Sequence, residues 1–436
     1  RYARVTGVQT CALPILLLAT GISASFYVMA PLDMFDSNQN FNYQGKLENW
    51  LDKMASANVD GMMVDVWWGL VETSPKNYKW TGYQQFFQMC QKRNLKIVPV
   101  MSFHKCGGNV GDKCNIPLPQ FVRNAKPFFK DQNGFVDEEY ISFGYDNTPI
   151  NGRTPIQMYK DFMAAFKSQF SSYLNNGVIA EIEVGSGPCG EMRYPSYLAA
   201  SGWSYPGCGL FQTYDPKMQE YLRTDAQAAG KSQFAHSPSN TGGTNTRPGG
   251  SQFWCDNQQD SWNSEYGQWF IKWYAQKLID HGSAIFKQAR KVFPSTKLSS
   301  KIAGIHWWYM TSCHCAEVTA GFNNFIFYDG YRDILTAFKA YNIQCCFTCL
   351  EMTADNSAGA NAPYLVQQIL NDSQWAGLEF EGENALEVYD WGSYNRVTEW
   401  AKKGLSTFTY LRLCDTLVQD YNYNNFKQFV NNIHNA

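Results

Sequence analysis

Asp65, His104, Glu183, His306, Thr348, Glu351, Glu383, Asn384 and Arg412 each stand inside or towards the end of a short apolar run, Lys301 opens the run that holds His306, and Glu191 lies just beyond another. Such a set suits a reaction run by proton transfer: carboxyl groups as acid and base, cations to set their charge, and imidazole, hydroxyl and amide groups to hold a polar substrate. No phosphate-binding or nicotinamide-binding string accompanies them, so neither phosphoryl nor hydride transfer is indicated. Many carboxylates beside many aromatic residues point instead to glycoside hydrolysis, which needs two carboxyl groups and little else. A plainer reading competes for each residue, because a buried acid in a barrel often pairs with Arg or Lys from a neighbouring strand. Glu183 and Glu351 are the acids expected to be structural, with Lys301 and Arg412 as counter-ions. Spacing alone does not say which two carboxyl groups act.

The elements that must position these groups follow from periodicity. Apolar runs at 26–31, 61–68, 97–104, 180–184, 301–309, 344–351, 377–386 and 408–413 alternate with stretches of helical period, the pattern of βα units around a parallel sheet. Leu47, Trp50, Leu51 and Met54 share one helical face, as do Tyr83, Phe86, Phe87 and Cys90; Tyr159, Phe162, Met163 and Phe166; Tyr331, Ile334, Leu335 and Phe338; and Phe426, Phe429, Val430 and Ile433. Eight strands close a (β/α)8 barrel, and residues at their carboxyl ends converge on one mouth. The loops after strands three and four are very long, as expected of segments that build a site. Residues 26–436 are read as a single catalytic domain.

Composition narrows the substrate. Lys plus Arg (36) nearly balances Asp plus Glu (38), so no sustained field draws nucleic acid or an anionic membrane, and a neutral partner fits better. The aromatic share, 16% with 14 Trp and 26 Tyr, suits sugar rings as well as a core. At the front, Val5 to Ile15 (VTGVQTCALPI) resembles a translated sequencing adapter, and the apolar block from Ile15 followed by Gly21, Ser23, Ala24 and Ser25 reads as the rear of a secretory signal peptide. Residues 1–25 are therefore set apart, and a secreted or endomembrane (vacuolar) lumenal location is expected. Cys313-His314-Cys315 and the set His104, Cys106, Cys114 lack the paired spacing of a metal site. No metal, no cofactor and a monomeric state are expected.

Particular strings then become decisive. DGMMVDVWWGLVE (60–72), MSFHKCGGNVGD (101–112), IEVGSGPCGEMRYPSY (182–197), GIHWWY (304–309), FTCLEM (347–352), GENAL (382–386) and TYLRL (409–413) resemble the signatures of the β-amylase family, in that family's order, from about Phe26 to Ile433. The resemblance implies an inverting exo-hydrolase of α-1,4-glucans. It places the general acid at Glu191 and the general base at Glu383. It puts the terminal glucose units against Asp65, His104 and Asp112, and gives substrate-contacting or supporting positions to Lys301, His306, Thr348, Asn384, Ala385 and Arg412. The requirement on the pair is opposite: Glu191 must carry a proton, which calls for burial or a negative neighbour, and Glu383 must stay ionised, which Lys301 can favour. The glycine-rich segment 107–111 lacks the GK[ST] of a phosphate loop and reads as a mobile lid carrying Asp112. Thr353 and Glu387-Val388 depart from the plant pattern, which has Arg and Pro-Arg there, at positions outside the proposed acid and base. The rival readings are a non-catalytic glucan-binding barrel and an endo-acting glucanase.

Cys106 and Cys114 bracket the lid, and a disulfide between them would tie its base while leaving the glycines free. Peptide mapping without reduction is expected to recover the two cysteines in one linked species; two separate peptides would refute the link.

Overall fold

The computed structural model describes residues 23–436. Eight parallel strands form a closed barrel: β1 Ser25–Met29, β2 Gly61–Trp67, β3 Lys96–Ser102, β4 Ile182–Val184, β5 Leu298–Ile302, β6 Ile343–Phe347, β7 Phe380–Glu383 and β8 Leu405–Tyr410. Each pairs with its neighbours in chain order, and β8 closes on β1 with Phe26 opposite Phe408. The (β/α)8 expectation is met.

The period of two in each strand divides its side chains between two environments. Tyr27, Met29, Met63, Val98 and Val100 pack together as one small cluster inside the barrel. The alternate residues Phe26, Val28, Met62, Val64 and Val66 join the large outer core. That core is closed by helices α1 Leu47–Ser56, α2 Thr81–Gln91, α3 Pro155–Gln169, α4 Glu265–Val292, α5 Gly330–Ala340, α6 Ala362–Ala376, α7 Trp391–Lys403 and α8 Asp420–His434. Each stripe read from the sequence is the buried face of its helix. Local signals fix the ends: Thr154 and Gln157 make a reciprocal capping box ahead of Pro155, and Gly404 at φ 116° stops α7 so that β8 begins at the next residue.

Strand ends differ from the sequence expectation in the second half of the barrel. The fifth strand ends at Ile302, not at 309, and the sixth ends at Phe347, not at 351. A Cβ on Gly304 would sit 2.5 Å from the Cys349 sulfur and 2.8 Å from Thr348 Oγ1, so the two chains cross closely just past their strands. The aromatic run His306-Trp307-Trp308 looks like strand because it is apolar, but it is buried as loop. The seventh strand is only Phe380–Glu383 within the expected 377–386, and the eighth starts at Leu405.

Two disulfides brace the mouth. Cys106 is bonded to Cys114 (Cα–Cα 5.8 Å), at the base of the glycine-rich segment, and Cys208 to Cys315 (Cα–Cα 5.2 Å), joining the loops after β4 and β5. The second bridge was not legible, since connectivity among many cysteines has no sequence signature. The adapter-like and leader-like residues up to 22 lie outside the described residues.

Barrel closure rests heavily on Phe26, which is fully buried, with ring centroids 5.5 Å from Phe408, 5.6 Å from Phe426 and 5.3 Å from Phe429. Phe26→Ala is expected to cost about 3–5 kcal/mol of unfolding free energy, read from the denaturant midpoint; a loss below about 1 kcal/mol would show that the first strand does not lock the barrel.

Candidate active site

The chain after β4 departs at Gly185, turns through Pro188–Gly190, and returns at Glu191 to bridge Lys301 in parallel register. Met192 N–H donates to the Lys301 carbonyl at 2.7 Å. Glu191 therefore occupies a strand-like position above the end of β4, supported by β5 rather than by a helix. Its Oε2 accepts from Arg193 Nε at 2.6 Å. Arg193 is buried, with its guanidinium over the Tyr197 ring at 4.3 Å. The neighbour of Glu191 is thus a cation, where the sequence reading called for burial or a negative charge. Arg193 had no role assigned in that reading; the signal was its spacing of two from Glu191 in an extended segment, which puts both on one face.

Across the mouth, Glu383 ends β7 and is fully buried. Its Oε2 lies 2.9 Å from Lys301 Nζ, and Glu183 Oε1 on β4 lies 3.4 Å from the same ammonium. Glu183, Glu383 and Lys301 are inward residues of β4, β7 and β5, so the strand period brings them together. Burial pushes the Glu383 carboxyl up; Lys301 and Arg412 pull it down, and the charge of Glu191 raises it again. Burial drives Glu183 further, up to about 8, against the pull of Lys301 and with the push of Glu383.

Asp65, inward on β2, accepts from Ser102 Oγ at 2.8 Å. Burial raises its carboxyl, opposed chiefly by Arg412 and then by that hydrogen bond and Lys301, while Asp112 adds to the rise. Burial, with the Lys301 and Arg193 charges, holds His104 down at about 3. It is therefore neutral, its ring 5.0 Å from Trp67 and its Nδ1 without a partner. Arg412 Nη1 donates to the Ala30 carbonyl at 3.3 Å. These mutual influences place Asp65, His104, Asp112, Glu191, Lys301, Glu383 and Arg412 in one electrostatic neighbourhood.

The remaining expected residues sit differently. Asp112 Oδ2 accepts from Gly107 N–H at 3.0 Å and Asn109 N–H at 3.1 Å, so its carboxylate shapes its own loop. Asn384 is fully buried and spent on backbone: its amide donates to Leu386 and Leu411 carbonyls, and its oxygen accepts from Leu411 N–H. Ala385 N–H donates to Glu351, which also accepts from Leu386 N–H. Glu351 is thereby a brace under the loop that follows Glu383. Thr348 Oγ1 accepts from Gly304 N–H at 2.8 Å. His306 lies further out, 6.3 Å from the Tyr205 ring, and burial holds it down at about 4 against the charge of Asp355.

Glu183, Cys346 and Glu383 bring donor atoms within 4.8 Å of one another. The Lys301 ammonium already sits against both carboxylates, supplying the positive charge a cation would bring. Of the four sulfurs in the two loose metal-like sets, Cys106, Cys114 and Cys315 are spent in disulfides and Cys313 is a buried free thiol.

Chemically the arrangement can support acid–base work: one carboxyl group above β4, another at the end of β7, and one lysine whose ammonium touches the second and whose backbone pairs with the first. Known proteins resemble this chain over most of its length. The family model for glycosyl hydrolase family 14 matches residues 27–436. A protein of Arabidopsis thaliana named beta-amylase 2, chloroplastic, is 42% identical, covering 94% of this chain and 79% of its own. A beta-amylase of Zea mays is 41% identical, covering 94% and 88%. The catalytic domain of beta-amylase from Paenibacillus polymyxa superposes with a TM-score of 0.79 at 30% identity, covering 94% of this chain and 98% of that one. A haloarchaeal beta-galactosidase, at 10% identity and a TM-score of 0.54, shares the fold alone. The chain belongs to glycosyl hydrolase family 14, the family of the β-amylases.

Proposed function

We propose that Glu191 and Glu383 make this chain a β-amylase, removing β-maltose from the non-reducing ends of α-1,4-glucans with inversion. The observation that carries the assignment is that both glutamates meet at Lys301, Glu383 at the end of β7 through the ammonium and Glu191 through the backbone bridge to β5. Inversion needs one displacement. A water attacks the anomeric carbon while Glu383 takes its proton; Glu191 gives a proton to the glycosidic oxygen as that bond breaks. Arg193 binds Oε2 of Glu191, and the hydrogen-bond pattern leaves Oε1 to carry the transferable proton. Asp65, His104, Asp112, His306 and Arg412 line the approach as sugar-binding groups, while Asn384, Ala385 and Thr348 hold the loops in place.

The proton arrangement around Lys301 supports Glu383 as the base. Two buried carboxyl groups share one ammonium, so one of them stays protonated near neutrality. Glu183, pushed up to about 8, keeps the proton, and Glu383, closer to the ammonium, keeps the charge.

Residues 26–436 act as one catalytic domain and as a monomer on a neutral glucan, without nucleic acid. Among the described residues no helix is long and apolar enough to cross a membrane. The two disulfides favour an oxidising compartment, in keeping with a secreted or lumenal location; the Arabidopsis relative is named for the chloroplast.

Three outcomes are expected. Glu191→Gln and Glu383→Gln should each lose about 10²–10⁴-fold or more in kcat on maltopentaose, with an activated leaving group partly rescuing the first only. The first product seen by NMR should be the β-anomer; an initial α-anomer would mean a covalent intermediate and would refute both roles. The third concerns pH. Between the ordinary value of 4.5 and about 8, the unfolded chain gives up the Glu183 proton while the folded chain keeps it, so this group costs stability as pH rises through that window. Glu183→Gln stays neutral, so its Tm should gain on the parent's between pH 5 and pH 8.5. A gap that does not change with pH would place the proton elsewhere.

A further inference from the structure

An exo-acting enzyme admits only the end of its polymer, so the rest of the chain must lie over the protein surface. The loop after β5 comes to the surface along His306, Tyr309 and Met310, which are buried, half-buried and exposed in turn. There it meets two adjoining hollows of about 400 and 600 Å³, which share Tyr309, Asp329, Arg332, Tyr364 and Gln368.

One wall of this groove is apolar and exposed: Ile326 is 93%, Phe327 65% and Tyr364 62% accessible. Phe327 is not a loose side chain. Its ring stacks on Phe325 at 5.2 Å, and Phe325 stacks on Trp262 at 5.1 Å, so a rigid aromatic pile faces solvent. The floor is a fixed array of polar groups. Gln368 takes the Tyr309 hydroxyl on its oxygen and donates to Asn324 and Asp329. Arg332 Nε is 2.9 Å from Asp372 Oδ1. Asp372 is 1% exposed and lines the smaller hollow; no donor reaches its second oxygen, Oδ2, and burial with the neighbouring Asp329 carboxylate pushes the group up to about 6.

Rigid aromatic faces beside planar acids, amides and a guanidinium fit a sugar ring, which presents C–H faces and a rim of hydroxyls. A hydroxyl can also donate to the orphan oxygen of Asp372, whereas an aliphatic protein surface would leave it unpaired. The charges, one Arg against two Asp, offer no field for a polyanion. We infer that this groove is a second binding site for a neutral α-1,4-glucan segment, outside the pocket that carries Glu191 and Glu383. The inference rests on the proposed glucan specificity. Its effect is to tether the polymer: a second contact on the same molecule raises its local concentration at the mouth without touching the chemistry.

The test is the double variant Phe327→Ala/Tyr364→Ala, chosen because both side chains are exposed. Retention of the protein in an amylopectin gel should weaken about threefold or more, and KM on soluble starch should rise by roughly 3–10-fold, while kcat/KM on maltotetraose stays within about twofold. Unchanged retention would overturn the inference. Equal losses on starch and maltotetraose would also overturn it, since the residues would then be shaping the mouth. So would a parent dimer in sedimentation that the variant disperses, which would make the groove a face between copies. The two readings fail separately: maltose release from maltotetraose by the parent reports on the catalytic assignment, and the change in gel retention reports on the groove.

Discussion

Lys301 is the point at which fold and chemistry meet. Its ammonium lies 2.9 Å from Glu383 and 3.4 Å from Glu183, and all three side chains are almost fully removed from water. Three charges cannot coexist cheaply in such a place. With one ammonium and two carboxyl groups, the least costly state is one ion pair and one neutral acid. That constraint sorts the two glutamates into a charged one and a neutral one before any substrate arrives. The inner faces of β4, β5 and β7 carry these charged groups, while those of β1 to β3 hold Tyr27, Met29, Met63, Val98 and Val100 together with the Asp65–Ser102 pair.

A similar cluster occurs lower in the barrel. Lys297 lies 3.0 Å from Glu181, 2.7 Å from Glu379 and 2.6 Å from Glu381. Glu181 precedes Glu183 by two residues and Glu381 precedes Glu383 by two, so the strand period repeats the same grouping of acid, lysine and acid. The lower group closes the floor. The upper group differs because of what surrounds it: Asp65, Arg412 and His104 from the neighbouring strands, and the returning chain that carries Glu191. One repeated packing solution thus serves as a plug at one level and, in the proposed reaction, as the acid–base frame at the next.

Much of this was legible in the sequence, for a physical reason. Helical stripes and strand alternation are local, so Leu47 to Met54 or Phe426 to Ile433 announce their buried faces directly. Motif strings name the residues that approach the mouth. Neither says how a side chain spends its hydrogen bonds. Asn384 and Ala385 belong to the same string as Glu383, yet their polar groups hold the backbone of the loop instead. The strand ends from β5 onward were overextended because aromatic loop residues such as Trp307 and Trp308 are as buried as strand residues. The Cys208–Cys315 bridge and the Arg193–Glu191 pair depend on how loops fold back, which no short-range pattern encodes.

The loops that complete the site are themselves coupled through a buried acid. Glu139 Oε1 accepts from Asn109 Nδ2 at 2.7 Å, in the glycine-rich segment after β3, and from Cys189 N–H at 3.1 Å, two residues before Glu191. Its backbone carbonyl accepts from Lys105 N–H at 2.8 Å, at the root of the same segment. The other carboxylate oxygen, Oε2, is buried without a partner. A displacement of Asn109 therefore strips Glu139 of one of few bonds that offset its burial, and leaves the Cys189 amide carrying the rest. The conformation of the segment that holds Asp112 and the position of the turn that presents Glu191 are thus set against the same carboxylate, and neither relaxes without a cost to the other.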